Sequence, residues 1–131
     1  MTSGTLPSSP SAVSDRARVL TQAVAEAARR LDLGSVVLAS VIGGSQSTAS
    51  RLLNGKYLLS EKSKEWEMAA HLVRLYRSLS SLVENDDLAK AWLHSANNAP
   101  SFAGRTPAES IKTAVGLIHA VEYLDAHRAI S

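Results

Sequence analysis

Gly43-Gly44-Ser45-Gln46-Ser47-Thr48-Ala49-Ser50-Arg51-Leu52-Leu53-Asn54-Gly55-Lys56 is the stretch whose reading decides the fold. Paired glycines after the apolar run 36–42 let the backbone leave one helix through positive φ, and the Ser45 hydroxyl is placed to cap the next. That second helix is short and stops at Asn54-Gly55. Its apolar positions Ala49, Leu52 and Leu53 keep helical spacing, so Gln46, Ser47, Ser50 and Arg51 point away from the core. The pattern is the turn and second helix of a helix-turn-helix. Gln, Ser and Arg are side chains that read base edges: from a helix in the major groove, Gln can bridge adenine or touch phosphate, and Arg can fork onto guanine.

A capped amphipathic helix after a glycine turn also occurs in helical proteins that bind no nucleic acid. The flanks favour the reader. No carboxylate occurs between Leu33 and Ser60, so Arg51 and Lys56 are expected to meet phosphate without a nearby acid to repel it. Residues 1–60 carry six bases against three acids, a balance of +3, whereas residues 61–131 carry eight against nine, a balance of −1. The basic half holds the expected reader, and the near-neutral half suits a protein partner.

Outward from the motif, residues 1–14 are rich in Ser, Thr, Pro and Gly and are expected to be a disordered tail. Ser14-Asp15 marks a helix start, and Val19, Leu20, Ala23, Val24, Ala27 and Leu31 recur at helical spacing in a support helix that Gly34 is expected to break. Val36 to Ile42 is the first helix of the motif, and the reader unit spans 15–60. From Glu61 to about Val83 runs the longest periodic segment. Its polar stripe (Lys64, Glu67, His71, Arg74, Ser78) is narrow and the rest is apolar, including Trp66, so it must pack on more than one side, as a spine joining both halves.

Asn85-Asp86-Asp87 starts a further helix with Leu88, Ala89, Trp92, Leu93 and Ala96 as its expected buried face. After a breaker loop at 97–101 and Phe102, Thr106-Pro107-Ala108-Glu109 reads as a capping box opening a short helix 107–114. Gly116 separates or bends this from a last helix whose core face is Leu117, Ile118, Val121 and Leu124. His119, Tyr123 and His127 form a stripe beside that face. The stripe fits a protein-binding surface, with Arg128 reaching past the helix end into an acidic or nucleotide-binding pocket. Half-exposed His and Tyr without a role, and an Arg complementing a helix C-terminus, are the plainer readings.

The fold class is therefore all-α: an N-terminal helix-turn-helix bundle, then, over 61–131, a long central helix together with a small C-terminal helical domain. Aromatic residues make up only 5%, and β-branched runs are short, which disfavours sheet. Cysteine is absent, so disulfides and thiolate metal sites are excluded. The histidines at 71, 94, 119 and 127 lack metal-ligand spacing with carboxylates, and Gly43-Gly44 is not followed by Gly-Lys-Ser/Thr. No catalysis, metal or cofactor is expected. With no signal peptide and no membrane-length apolar run, a cytoplasmic protein without a membrane partner is expected.

Two resemblances cover nearly the whole chain. Leu38-Ala39, Ile42-Gly43, Ser45-Gln46-Ser47, Ser50-Arg51-Leu52 and Asn54-Gly55-Lys56 resemble the helix-turn-helix of phage-repressor, or Xre-type, regulators. Trp92-Leu93, Asn97, Phe102-Ala103-Gly104, Thr106-Pro107, Gly116 and Val121 through Leu124 resemble the toxin-binding domain of Xre/MbcA/ParS-type antitoxins. The family often has Leu-Gly-Gly before its Thr-Pro, where this chain has Phe102-Ala103-Gly104-Arg105. The resemblance implies a partner toxin of the RES-domain class that consumes NAD, neutralised when the C-terminal region closes its active site, and repression of the shared operon through the helix-turn-helix.

The residues expected to read bases are Gln46, Ser47, Ser50 and Arg51, with Ser45, Asn54 and Lys56 positioning phosphates; those expected to meet the toxin are His119, Tyr123, His127 and Arg128. One small reader buries roughly 600–1,000 Å² on DNA, too little for tight repression, so a homodimer on double-stranded, palindromic operator DNA is expected. Two other readings share most of these features: a free-standing repressor with a C-terminal sensor, and a toxin-binding protein whose helix-turn-helix no longer binds DNA.

Overall fold

Helix α4 (Lys64–Leu82) is the element on which the others rest: α1 (Ser8–Arg30), α2 (Ser35–Ile42) and α7 (Ala114–Ala129) all pack against it. The computed structural model describes residues 8–130, and every regular element among them is a helix. The remaining three are α3 (Gln46–Leu53), α5 (Asp86–His94) and the single turn α6 (Pro107–Ser110). One continuous apolar core runs from Val24 and Leu38 through Leu72 and Leu75 to Phe102, Leu117 and Leu124, so the two halves share their interior. Among the described residues, no helix is long and apolar enough to cross a membrane.

The helix ends follow local chemistry. α1 begins at Ser8, inside the stretch read as a tail, with Pro10 in its first turn, where a missing N–H leaves no helical bond unmade; residues 1–7 lie outside the described residues. Its end falls at Asp32, not at Gly34. Asp32 takes φ 57, the Leu33 N–H reaches Ala28 O at 2.8 Å and the Asp32 N–H reaches Arg29 O at 3.1 Å, a Schellman stop completed by buried Leu33. Gly34, at φ −75, instead precedes α2 as its N-cap.

In the C-terminal half, Asn85 and Thr106 cap their helices through bonds from Leu88 N (2.9 Å) and Glu109 N (3.1 Å). The Glu109 carboxylate faces Lys112 at 3.4 Å. The break before α7 comes at 111–113 rather than at Gly116, because Thr113 caps α7 by accepting from Gly116 N at 3.0 Å. Gly116 lies inside the first turn of α7 for a packing reason: a Cβ there would sit 1.8 Å from the Ser110 carbonyl oxygen.

Several expected faces are rotated. Ser78, assigned to the polar stripe of α4, is fully buried and hydrogen-bonds across to α7. Leu88 and Val19, assigned to apolar faces, are exposed, and Ala70 likewise faces outward. Trp66 is half-buried: it packs against the core and also lines a groove.

Candidate functional site

The helix-turn-helix is built from the turn outward. Gly43 adopts φ 78, and the N–H groups of Gly43 and Gly44 both bond to Ala39 O, at 2.9 and 3.0 Å, which closes α2 in two residues. Ser45 then caps α3: its hydroxyl accepts from Thr48 N at 3.1 Å and donates to Thr48 Oγ1 at 2.9 Å. Ala49 and Leu52 are buried beneath α3, holding it against α2 and α1. The far end is a second Schellman stop, with Lys56 N on Arg51 O at 2.7 Å and Gly55 N on Leu52 O at 3.1 Å. Arg29 of α1 adds a cationic cap, its Nη1 donating to Leu53 O at 2.9 Å.

This scaffold leaves Gln46, Ser47 and Arg51 exposed along one edge of α3, with Ser50 half-exposed on the same helix. Asn54 and Lys56 are exposed beyond its end. The Ser45 hydroxyl is engaged in the expected helix cap. Two further contacts were invisible in the spacing. The Arg51 guanidinium lies over the Tyr57 ring, 5.3 Å from its centroid, which restrains its reach and orients it. The carboxyl of Glu65 stands against the turn, with Oε2 3.8 Å from where a Gly44 Cβ would be, so the motif has an acid beside it in space that it lacks in sequence.

The second surface is on α7. Tyr123 is half-buried, edge-on to buried Phe102 at 5.2 Å between centroids and stacked on Trp92 at 6.3 Å. Trp92 in turn meets Phe102 edge-on at 5.5 Å. The exposed His127 ring lies 4.3 Å from the Tyr123 ring and donates from Nδ1 to the Tyr123 carbonyl at 2.9 Å. His119 is exposed one turn earlier. The structure thus seats Tyr123, with His127 beside it, on an aromatic base supplied by α5 and the 97–105 loop, a support that helical spacing did not reveal.

Arg128 does not project past the helix end. Its Nη1 donates to Ser78 Oγ at 3.1 Å and lies 3.7 Å from Asp125, so it folds back onto α4. Asp125 accepts from Ser78 at 2.6 Å and from Arg74 at 2.5 Å, and these bonds, the Ser78 hydroxyl first, hold its carboxyl below the usual aspartate range against the opposing effect of burial. A parallel network joins the halves at the other end: Arg30 bonds Glu26 at 2.7 Å and Asp86 at 2.9 Å, Tyr76 bonds Asp86 at 2.9 Å, and His94 Nε2 donates to Leu31 O at 2.9 Å. No cluster of metal-ligating side chains occurs among the described residues.

A capped short helix resting on α1 and α2 after a glycine turn, followed by a helical part that shares its core, defines a helix-turn-helix protein with an appended helical domain. The model of the antitoxin Xre-like helix-turn-helix domain matches residues 12–74, and that of the antitoxin Xre/MbcA/ParS C-terminal toxin-binding domain matches residues 78–129. The chain belongs to the Xre/MbcA/ParS-type antitoxins, non-enzymatic members of toxin–antitoxin pairs. No individual curated protein matches it. The seam between the two matched stretches falls inside α4, so the spine is common to both.

Proposed function

We propose that this antitoxin neutralises a RES-domain, NAD-consuming toxin through its C-terminal domain and, as a homodimer, represses its own operon through the helix-turn-helix. The observation that carries the reading is the disposition of two exposed polar edges on one shared core: Gln46, Ser47 and Arg51 on α3, and His119 with His127 on α7. Gln46, Ser47, Ser50 and Arg51 read bases, while Asn54 and Lys56 position phosphates and Ser45 sets the helix start. His119, Tyr123 and His127 form the toxin contact, and Arg128 supports it by tying α7 to α4.

Glu65 beside the turn favours a second reading, a toxin-binding protein with weakened DNA affinity. Co-expression with the product of the adjoining reading frame tests the first part. Co-purification, with cellular NAD preserved, is expected; a neighbour that neither binds nor depletes NAD overturns the RES assignment. Anisotropy with the upstream DNA at several salt concentrations tests the second part, because a reader keeps a sequence-dependent excess over its salt-sensitive background. Equal binding to all duplexes selects the second reading.

A further inference from the structure

A groove of about 660 Å³ opens along α4 between α1 and the C-terminal end of α7, reaching in to buried Val73 and Ser78, and neither the exposed residues of α3 nor His119, Tyr123 and His127 line it. Its floor is apolar: Val19, 63% exposed, with Leu20, Ala23, Trp66, Ala70 and Val73. Its rim is cationic, formed by Arg16, Arg74, Arg77 and Arg128. Asp15 is the one acid among the described lining residues and is paired to Arg18. Glu61 answers Arg16 at 3.4 Å, and the single carboxylate of Asp125 is shared between Arg74 and Arg128. Arg77 makes no ion pair among the described residues. The rim therefore keeps a surplus of positive charge beside exposed apolar surface.

We propose that this groove docks an acidic amphipathic helix of a protein partner, its apolar stripe on Val19, Trp66 and Ala70 and its flanking carboxylates on Arg77, Arg74 and Arg16. Two packed helices form a trough that an i, i+3, i+4, i+7 stripe fills, and flanking carboxylates match the rim. A second copy fits poorly, since a two-fold contact through this face sets the arginine rim against itself. Residues 1–7 of the chain contain no carboxylate and cannot answer the rim. Nucleic acid offers charge but no apolar stripe for the floor. Apart from Arg128, which ties α7 to α4, the site shares no residue with the proposed toxin contact.

The test uses the full chain and a labelled helical peptide of about 18 residues, with Leu at the stripe positions and Glu on both flanks, beside a Lys-flanked counterpart. Saturable one-to-one binding of the Glu peptide alone is expected. Arg77→Glu should weaken it about tenfold, mostly through association and with strong salt dependence, and Ala70→Arg should abolish it by filling the floor. Both positions are exposed on α4, so unchanged circular dichroism and melting identify a lost site rather than a lost fold. Equal binding of both peptides, no binding of either, or indifference to both substitutions overturns the proposal. So does competition by duplex DNA, dissociation of a dimer by Ala70→Arg, or peptide binding that requires removal of residues 1–7.

Discussion

The Ser78 hydroxyl, fully buried on α4, donates to Asp125 Oδ1 of α7 at 2.6 Å while accepting from Arg128 at 3.1 Å. With Arg74 on the other carboxylate oxygen, these four residues fasten the C-terminal helix to the spine. Ser78→Ala leaves a carboxylate and a guanidinium short of one partner each. The expected cost is about 1.5–3 kcal/mol in urea unfolding, the range for hydrogen bonds to charged groups. Ser78→Ala and Asp125→Asn should combine to less than the sum of their separate effects, because they break one network.

The same network predicts acid sensitivity. Asp125 is depressed in the folded state, chiefly by Ser78 and then by Arg74, so the unfolded chain binds the proton more readily. The stabilisation is present above the usual aspartate value, and it fades as pH falls through that value toward the depressed one. Thermal melts stepped downward from about pH 5 should show a loss that Asp125→Asn reduces, since the amide does not titrate, while Glu26, held down by Arg30 and Arg29, keeps its own part.

Gly116 is dictated by space. A Cβ would meet Ser110 O at 1.8 Å and Ser110 C at 2.8 Å, both backbone atoms that cannot step aside as a side chain tip would. Although alanine is the better helix former, Gly116→Ala should destabilise by at least about 1–3 kcal/mol, the range for overpacking, and displace α6 from α7. Melting temperature and the tryptophan emission of Trp92 report it.

Helix boundaries and site residues were legible to different degrees, for identifiable reasons. Ser45, Asn85 and Thr106 announce helix starts through their own hydrogen bonds, so each was readable one residue at a time. The stop of α1 was less so: it is made by Asp32 in a left-handed conformation, whereas Gly34 was read as the breaker. Ser78 and Arg128 were misplaced because a period of 3.6 assigns polarity to a face without knowing which neighbour arrives there. The family difference at Phe102-Ala103-Gly104 also has a structural counterpart, since Ala103 holds φ 53 where glycine would be unstrained. Glu65 against Gly44 and Arg51 over Tyr57 join segments that no local pattern connects.

On DNA, Arg51→Ala should cost about 1–3 kcal/mol and relax preference at one base pair. Tyr57→Leu, which removes the ring under the guanidinium, should cost about 0.5–1 kcal/mol without changing which base is preferred. Fluorescence anisotropy across single-base operator variants separates the two; a uniform loss with Arg51→Ala makes it a phosphate contact.

The central claim is that one chain carries two separable surfaces on a shared spine. Its most direct test measures toxin capture and operator binding side by side for Gln46→Ala/Arg51→Ala and for His119→Glu. The account predicts that the first variant co-purifies with the toxin and fails to discriminate operator, and that the second discriminates operator and loses the toxin. Toxin capture lost through α3, or kept when α7 is altered, would contradict it.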